Sequence, residues 1–300
     1  MWFKNLQLFR VPENWELSVE DLAAQLGNFA FQPCSSLAME SRGWIPPRGD
    51  DQLVVALHRQ WLIALGVEQK LLPASVVRQT VKERTAGLES KVGRKLGRKE
   101  LRELKEDTVA ELLPRAFSRY RATFAWIDPT AGWLVIDAAS PKKVEEAVDA
   151  LRRSLDEYPV APLKTERSPV GAMTEWLASG DAPRGFTIDQ DCELRSQQDE
   201  RVTVRYAHHP LDIREIREHI AGGKQVSRLA LTWQDRLSFV LTDKLEVKRL
   251  QFLEAVASEA GPDEASEAEQ KEADFVLMTG QVAKFLPDLV EALGGEAASA

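Results

Sequence analysis

Cysteine and histidine are scarce in this 300-residue chain, and each shortage closes off a class of function. Cys34 and Cys192, the only two cysteines, stand far apart, which excludes a disulfide framework and favours a reducing cytosol. His208 and His209 are adjacent; read as strand residues, their rings point to opposite faces and do not share a metal easily. No metal site and no cofactor are therefore expected. No Gly-x-x-x-x-Gly-Lys-Ser/Thr loop exists, since Gly222-Gly223-Lys224 lacks both the spacing and the hydroxyl and reads as a helix C-terminus. No grouping of Ser, His and Asp or of Cys and His can be argued from spacing alone. No apolar run reaches about eighteen residues, so nothing is expected to span a membrane. The opening Met1-Trp2-Phe3-Lys4-Asn5-Leu6 lacks the apolar stretch of a secretory signal, so a cytoplasmic protein is expected.

A basic excess is also missing, with a net charge of -8, which ordinarily argues against nucleic acid as a partner. The distribution weakens that argument. From Glu254 to Glu296 there are 11 acidic residues against Lys271 and Lys284, a balance of -9. From Arg78 to Arg121 there are 13 Lys and Arg against 7 Asp and Glu, a local balance of +6. A basic site on an acidic body fits this asymmetry.

The basic stretch also has helical periodicity. Val76, Val77, Val81, Leu88, Val92, Leu96, Leu101, Leu104 and Leu112 return at three- and four-residue steps between Pro73 and Pro114. This predicts one long central helix of roughly 60 Å at 1.5 Å per residue. On that helix Lys91, Arg94, Lys95, Arg98, Lys99, Arg102 and Lys105 form a single cationic row, roughly 21 Å long. A duplex carries one charge per about 1.7 Å of axis, so the row matches several phosphates. The competing reading is a solvated face held by i,i+4 ion pairs. Arg115, Phe117, Arg119, Tyr120 and Arg121 follow, and arginine beside an aromatic can stack on bases or hold phosphate. Phe117 and Tyr120 read equally as core or interface residues at helical spacing, and for Phe117 that reading is preferred.

Around this segment the chain alternates short strands and helices. Phe3 to Val11 reads as a strand, and Ser18 caps a helix stopped by Gly27. Ser41 to Gly49 reads as irregular. Leu53–His58 and Trp61–Gln69 read as a hairpin turning at Arg59-Gln60, and Thr123–Asp128 with Trp133–Asp137 as another. Ser140-Pro141 starts a helix, Pro159, Pro162 and Pro169 mark a linker, and Val170–Ser179 is a short helix. Val202–Tyr206 reads as a strand, Ile213–Ile220 as a helix, and Val226–Trp233 with Leu237–Thr242 as a hairpin. Leu245–Val256 is helical or mixed, Gly261–Glu267 is an acidic loop, and Phe275–Leu293 is a closing helix. The class is α+β with mixed or antiparallel sheets. Its segments are an N-terminal module at 1–72, the helical segment at 73–121, a hairpin-plus-helix module at 122–170 and a C-terminal module with an acidic tail region at 171–300. Asp128 and Asp137 end facing hairpin strands. A carboxylate pair there would hold Mg²⁺ for nuclease chemistry, and polar residues beside a turn are the alternative.

Several blocks in order resemble the RdgC family of recombination-associated proteins. They are Met1-Trp2-Phe3-Lys4-Asn5-Leu6, Gly43-Trp44-Ile45-Pro46-Pro47, Leu112 to Arg119, Trp126-Ile127-Asp128, Ala273 to Gly280 and Glu291 to Glu296. The resemblance runs from end to end. It implies a nucleoid-associated, ring-shaped homodimer that binds double- and single-stranded DNA without sequence preference and limits the recombinase RecA's access to DNA. The family's interface phenylalanine falls on Phe117. Its other subunit contact falls near His208-His209, where this sequence departs from the family's Lys-Gln. DNA contacts are then expected from Lys91, Arg94, Lys95, Arg98, Lys99, Arg102, Arg115, Arg119 and Arg121. A metal-dependent nuclease using Asp128 and Asp137, and a protein-interaction module, are the alternatives.

Overall fold

A computed structural model describes residues 2–298 except 14, 200, 212–213 and 258–265. In chain order the elements are Leu6–Arg10 (β1), Val19–Gly27 (α1), Glu40–Ile45 (β2), Val55–Leu57 (β3) and Gln60–Leu71 (β4). Next come Ala74–Val92 (α2), Arg98–Leu112 (α3), Phe117–Asp128 (β5), Trp133–Asp137 (β6), Pro141–Ser154 (α4), Ala161–Pro162 (β7) and Pro169–Ser179 (α5). The C-terminal part contains Phe186–Ser196 (β8), Thr203–Tyr206 (β9), Arg214–Ala221 (α6), Lys224–Trp233 (β10), Leu237–Thr242 (β11), Val247–Phe252 (β12), Glu254–Ala257 (α7) and Glu267–Ala292 (α8). The class is α+β, as expected.

All twelve strands join one sheet, in the order β2-β4-β5-β6-β1-β12-β11-β10-β8-β9, with β3 on β4 and β7 on β1. Every pairing between these strands is antiparallel. Alternation along the strands divides the central residues between two cores. On β6, Trp133 and Val135 face one core while Leu134 and Ile136 face the other. The first core takes Met173 and Trp176 of α5, Ile216 of α6, and Phe275, Met278, Phe285 and Leu289 of α8. The second takes Leu22 and Leu26 of α1 with Ala147 and Leu151 of α4. Each of the larger aliphatic and phenylalanine side chains among these contributes about 1.5–3 kcal/mol by leaving water. Among the described residues, β8 to β12 send core side chains to the first cluster only.

The hairpin of β5 and β6 and that of β10 and β11 form where alternation and turn residues place them. The turns differ in detail: His58 and Arg59 (φ 49° and 61°) make the left-handed pair of a two-residue hairpin turn, and Gln234 and Asp235 (φ 48° and 52°) are left-handed within the three residues that join Trp233 to Leu237. Ser41 to Ile45, expected to be irregular, belongs to β2. A Cβ on Gly43 there would lie 2.5 Å from the backbone Cα of Phe31, so only glycine admits this crossing. Residues 247–252, expected to be helical or mixed, form β12, and α8 starts at Glu267, earlier than its apolar pattern. Ser266 and Glu269 close a reciprocal cap at that start. The acidic loop at 261–265 and Ile213 lie outside the described residues.

The single central helix is corrected to a helical hairpin. Gly93 adopts φ 71° and ends α2, its N–H donating to Glu89 O. Gly97 then precedes α3, so the chain reverses over five residues, 93–97. The two helices run antiparallel, with Arg84 midway along α2 bonded to Glu111 near the end of α3 at 2.8 Å. A strand follows where helix was expected, because Phe117–Arg121 pair with Leu71–Val67 of β4. The hairpin is thus an arm inserted between two neighbouring strands. At 1.5 Å per residue α2 is roughly 28 Å long. Its packing on the body is slight: Val77 is the buried side chain of α2 and Thr108 that of α3.

Candidate nucleic-acid interface

Reversal of the chain at Gly93–Gly97 changes where the expected cations stand. Lys91, Arg94, Lys95, Arg98 and Lys99 gather at the arm's tip, while Arg102 and Lys105 lie further down α3. All seven are exposed. The uninterrupted row on one rod is therefore replaced by a cluster across two helices and their loop.

Several of these cations have partners of their own. Arg94 forms two hydrogen bonds to Glu100, at 2.8 and 2.9 Å, and holds its carboxyl down to about 2. Arg102 donates to Glu106 at 2.9 Å, and Lys99 lies 3.8 Å from Glu103. The i,i+4 pairs thus hold part of the face, as the competing solvated-face reading has it. These pairs are open to water, and exposed pairs contribute about 0–1 kcal/mol, so a polyanion can compete for the cations. Among the described residues Lys91, Lys95, Arg98, Lys105 and Arg115 make no ion pair.

Apolar side chains accompany the charges. Val76, Leu88, Val92 and Leu101 are exposed on the arm. Leu37, Val109, Ala110 and Leu113 line a groove of about 600 Å³ beside α3, with Arg102 and Lys105 among its walls. At the base, Phe117 is 84% exposed, which rules out a core role within one chain. Neighbouring Tyr120 is also exposed, yet its hydroxyl donates to Glu68 at 3.0 Å.

Glu68 is the hub of the base. It is buried and accepts from Ser118 Oγ at 2.5 Å, from the Cys34 N–H at 2.7 Å and from Tyr120. The Ser118 and Cys34 donors outweigh burial and hold its carboxyl at about 2. Arg119 donates to Gln69 at 3.1 Å and remains exposed. Arg121 is committed inward: its guanidinium meets Glu146 of α4 at 2.6 and 2.9 Å, and Glu146 is 4% exposed. A guanidinium engaged on both sides of a buried carboxylate is a structural cross-brace, so its expected contact with DNA has the weakest geometric support of the nine.

His208 and His209 follow β9 in a turn, not within a strand. His208 has φ 51° and its N–H donates to Asp191 at 2.7 Å; the His209 ring lies 5.8 Å from Tyr206. Both are exposed.

The aspartates of the nuclease alternative are not brought together. Asp128 caps its own turn, accepting from the N–H groups of Thr130 and Ala131. Asp137 accepts from the N–H groups of Lys4 and Asn5. Asp128 pairs with Trp133, and Asp137 stands four residues further along β6, about 13 Å away at 3.3 Å per residue. Among the described residues no group of three or more His, Cys, Asp or Glu is placed to hold a metal. No helix among them is long and apolar enough to cross a membrane.

Linear reading missed a second set of cations. Arg205 of β9, Arg228 of β10 and Lys248 and Arg249 of β12 converge on one cleft through strand pairing alone, and no sequence spacing announces it.

Comparison with known proteins covers the same ground from end to end. The family model described as "Putative exonuclease, RdgC" matches residues 1–296. The recombination-associated protein RdgC of Dechloromonas aromatica is 51% identical over 303 residues, covering 100% of both chains. Those of Cupriavidus pinatubonensis and Janthinobacterium sp. are 52% and 49% identical over 296 residues, covering 99% of each chain. With matches of this extent and identity, the chain belongs to the RdgC family of recombination-associated proteins.

Proposed function

We propose that this protein binds double- and single-stranded DNA without sequence preference, closing as a homodimer that encircles or coats it and so limits the access of RecA during homologous recombination. The helical arm is the observation that supports this most. It stands apart from both cores, holds unpaired Lys91, Lys95, Arg98 and Lys105, and exposes Val76, Leu88, Val92 and Leu101 beside them. Cations without base-reading geometry favour phosphate contact, which positions a protein on nucleic acid without reading its sequence. Exposed apolar side chains on the same arm favour a second copy as the neighbour. Phe117 at the arm's base, with His208 and His209 at the far end of the sheet, gives two separate surfaces for subunit contact, which a closed ring of two chains needs. The relatives' association with recombination fits DNA as the partner. Such a protein works in the cytoplasm on the nucleoid, with no cofactor and no bond-making step.

The test is the mass in solution with and without a short duplex, alongside retention of circular against linear DNA. A dimer that keeps circular DNA longer, leaves it intact in Mg²⁺, and shifts toward monomer on Phe117→Ala is expected. A monomer that binds both forms alike, or DNA degraded in Mg²⁺, contradicts the reading.

A further inference from the structure

The C-terminal strands hold a cleft of about 180 Å³, walled by Arg205, Arg228, Lys248 and Arg249. Two irregularities in the sheet aim these side chains. Between Ser238 and Val240 of β11 the partner strand runs from Gln251 to Lys248, so one residue on β11 faces two on β12. This bulge brings Lys248 and Arg249, which regular alternation sends to opposite faces, to the same cleft. On β10 a second shift, between Val226 and Arg228, sets Arg228 opposite Glu193.

The first bulge has a conformational cost. Arg249 has φ 54°, and among the described residues it is the only non-glycine residue with positive φ inside a β-strand; the others lie in turns. A strained backbone persists where its surroundings over-determine it, and such residues concentrate at binding sites. The charge balance points the same way. Asp191 and Glu193 also line the cleft, but Asp191 accepts the N–H of His208, and Glu193 accepts from Ser227 Oγ at 2.9 Å and from Arg195. Lys248 lies 2.8 Å from Glu246. Among the described residues Arg205, Arg228 and Arg249 have no ion pair, so three guanidinium groups border one small cleft without anions of their own.

We infer that this cleft is a phosphoryl-binding site, built by the two bulges and taking either a backbone phosphate of nucleic acid or the phosphates of a free nucleotide. Guanidinium groups suit this ligand because their planar donors match phosphate oxygens two at a time. The site shares no residue with the arm and stands or falls independently of it.

The test uses the full chain, titrated by calorimetry with inorganic pyrophosphate, with ADP and with a 5′-phosphorylated single-stranded oligonucleotide. Three variants are compared with it: Arg228→Ala/Arg249→Ala, Arg249→Gly alone, and the arm variant Lys91→Ala/Lys95→Ala. Loss of two charge-assisted contacts is expected to weaken binding by at least about tenfold in the double variant. Arg249→Gly removes the cation while suiting the positive φ, so it is expected to weaken binding without lowering the melting temperature. The arm variant is expected to leave pyrophosphate binding unchanged. Weakening for pyrophosphate and ADP identifies a free-nucleotide site; weakening for the oligonucleotide alone identifies a backbone contact. Affinities unchanged in both Arg249 variants, or no binding of any of the three ligands to the unmodified protein, overturn the inference.

Discussion

Arg121→Ala separates a structural arginine from a DNA-binding one. Glu146 is 4% exposed and Arg121 17%, and two hydrogen bonds join them across β5 and α4. Removing one member of a buried pair costs about 3–5 kcal/mol because the remaining charge is left without compensation. The residual exposure of Arg121, and Lys142 at 3.8 Å from Glu146, favour the low end, about 3 kcal/mol. At about 2 °C per kcal/mol for a chain of this size, the melting temperature falls by roughly 6 °C. The dependence on pH has a definite sign. Burial alone pushes the Glu146 carboxyl up, but Arg121 outweighs it and holds the group below its ordinary value. The pair therefore stabilises the fold fully above the unfolded carboxylate value, about 4.3, and this is lost as pH falls through the lower folded value. In Arg121→Ala burial is opposed by the charges of Arg42 and Lys142 alone, and protonation relieves the stranded charge, so the deficit shrinks between pH 7 and pH 4. Thermal melts across that range, paired with DNA titrations at pH 7, decide the matter. A melting temperature within 1–2 °C of the parent, with DNA affinity sharply reduced, would mean that Arg121 faces the polyanion and that the brace is wrong.

Gly43→Ala forces a Cβ to 2.5 Å from the backbone of Phe31, and it is expected to destabilise by about 3 kcal/mol, measured by urea unfolding. Glu68→Gln removes a carboxylate held at about 2. Its contribution is present above about 4.5 and is lost as pH falls toward 2, so the variant is expected to melt lower at pH 7 while the difference closes in acid. A gap constant from pH 7 to pH 2 would show that the Ser118, Tyr120 and Cys34 donors do not depend on its charge.

What could be read in the chain follows from the range of the forces involved. The hairpins of β5 with β6 and of β10 with β11 were legible because alternation and turn preference are local. The arm was half-legible. Its apolar period continues through Gly93 and Gly97, so periodicity alone runs over the two glycines that break the helix. The switch to strand at Phe117 was not legible, because pairing with Leu71 of β4 decides it across the whole length of the arm. Charges were harder still. Arg94 meets Glu100 across a loop, and Arg121 meets Glu146 across the sheet, so neither pair appears on a helical wheel. β2 reads as irregular because Gly43 serves a close crossing with Phe31 that only the tertiary fold supplies.

The most direct measurement is the salt dependence of DNA binding, read as fluorescence anisotropy of a labelled duplex for the parent and for Lys91→Glu/Lys95→Glu/Arg98→Glu/Arg102→Glu. Each phosphate neutralised contributes about 0.9 to the slope of log K against log salt. The parent is expected to show a steep slope, with the quadruple variant folded, weaker in binding, and shallower by up to about 3.6 if all four cations meet phosphate. A folded variant with affinity and slope unchanged contradicts the arm as the surface that meets DNA.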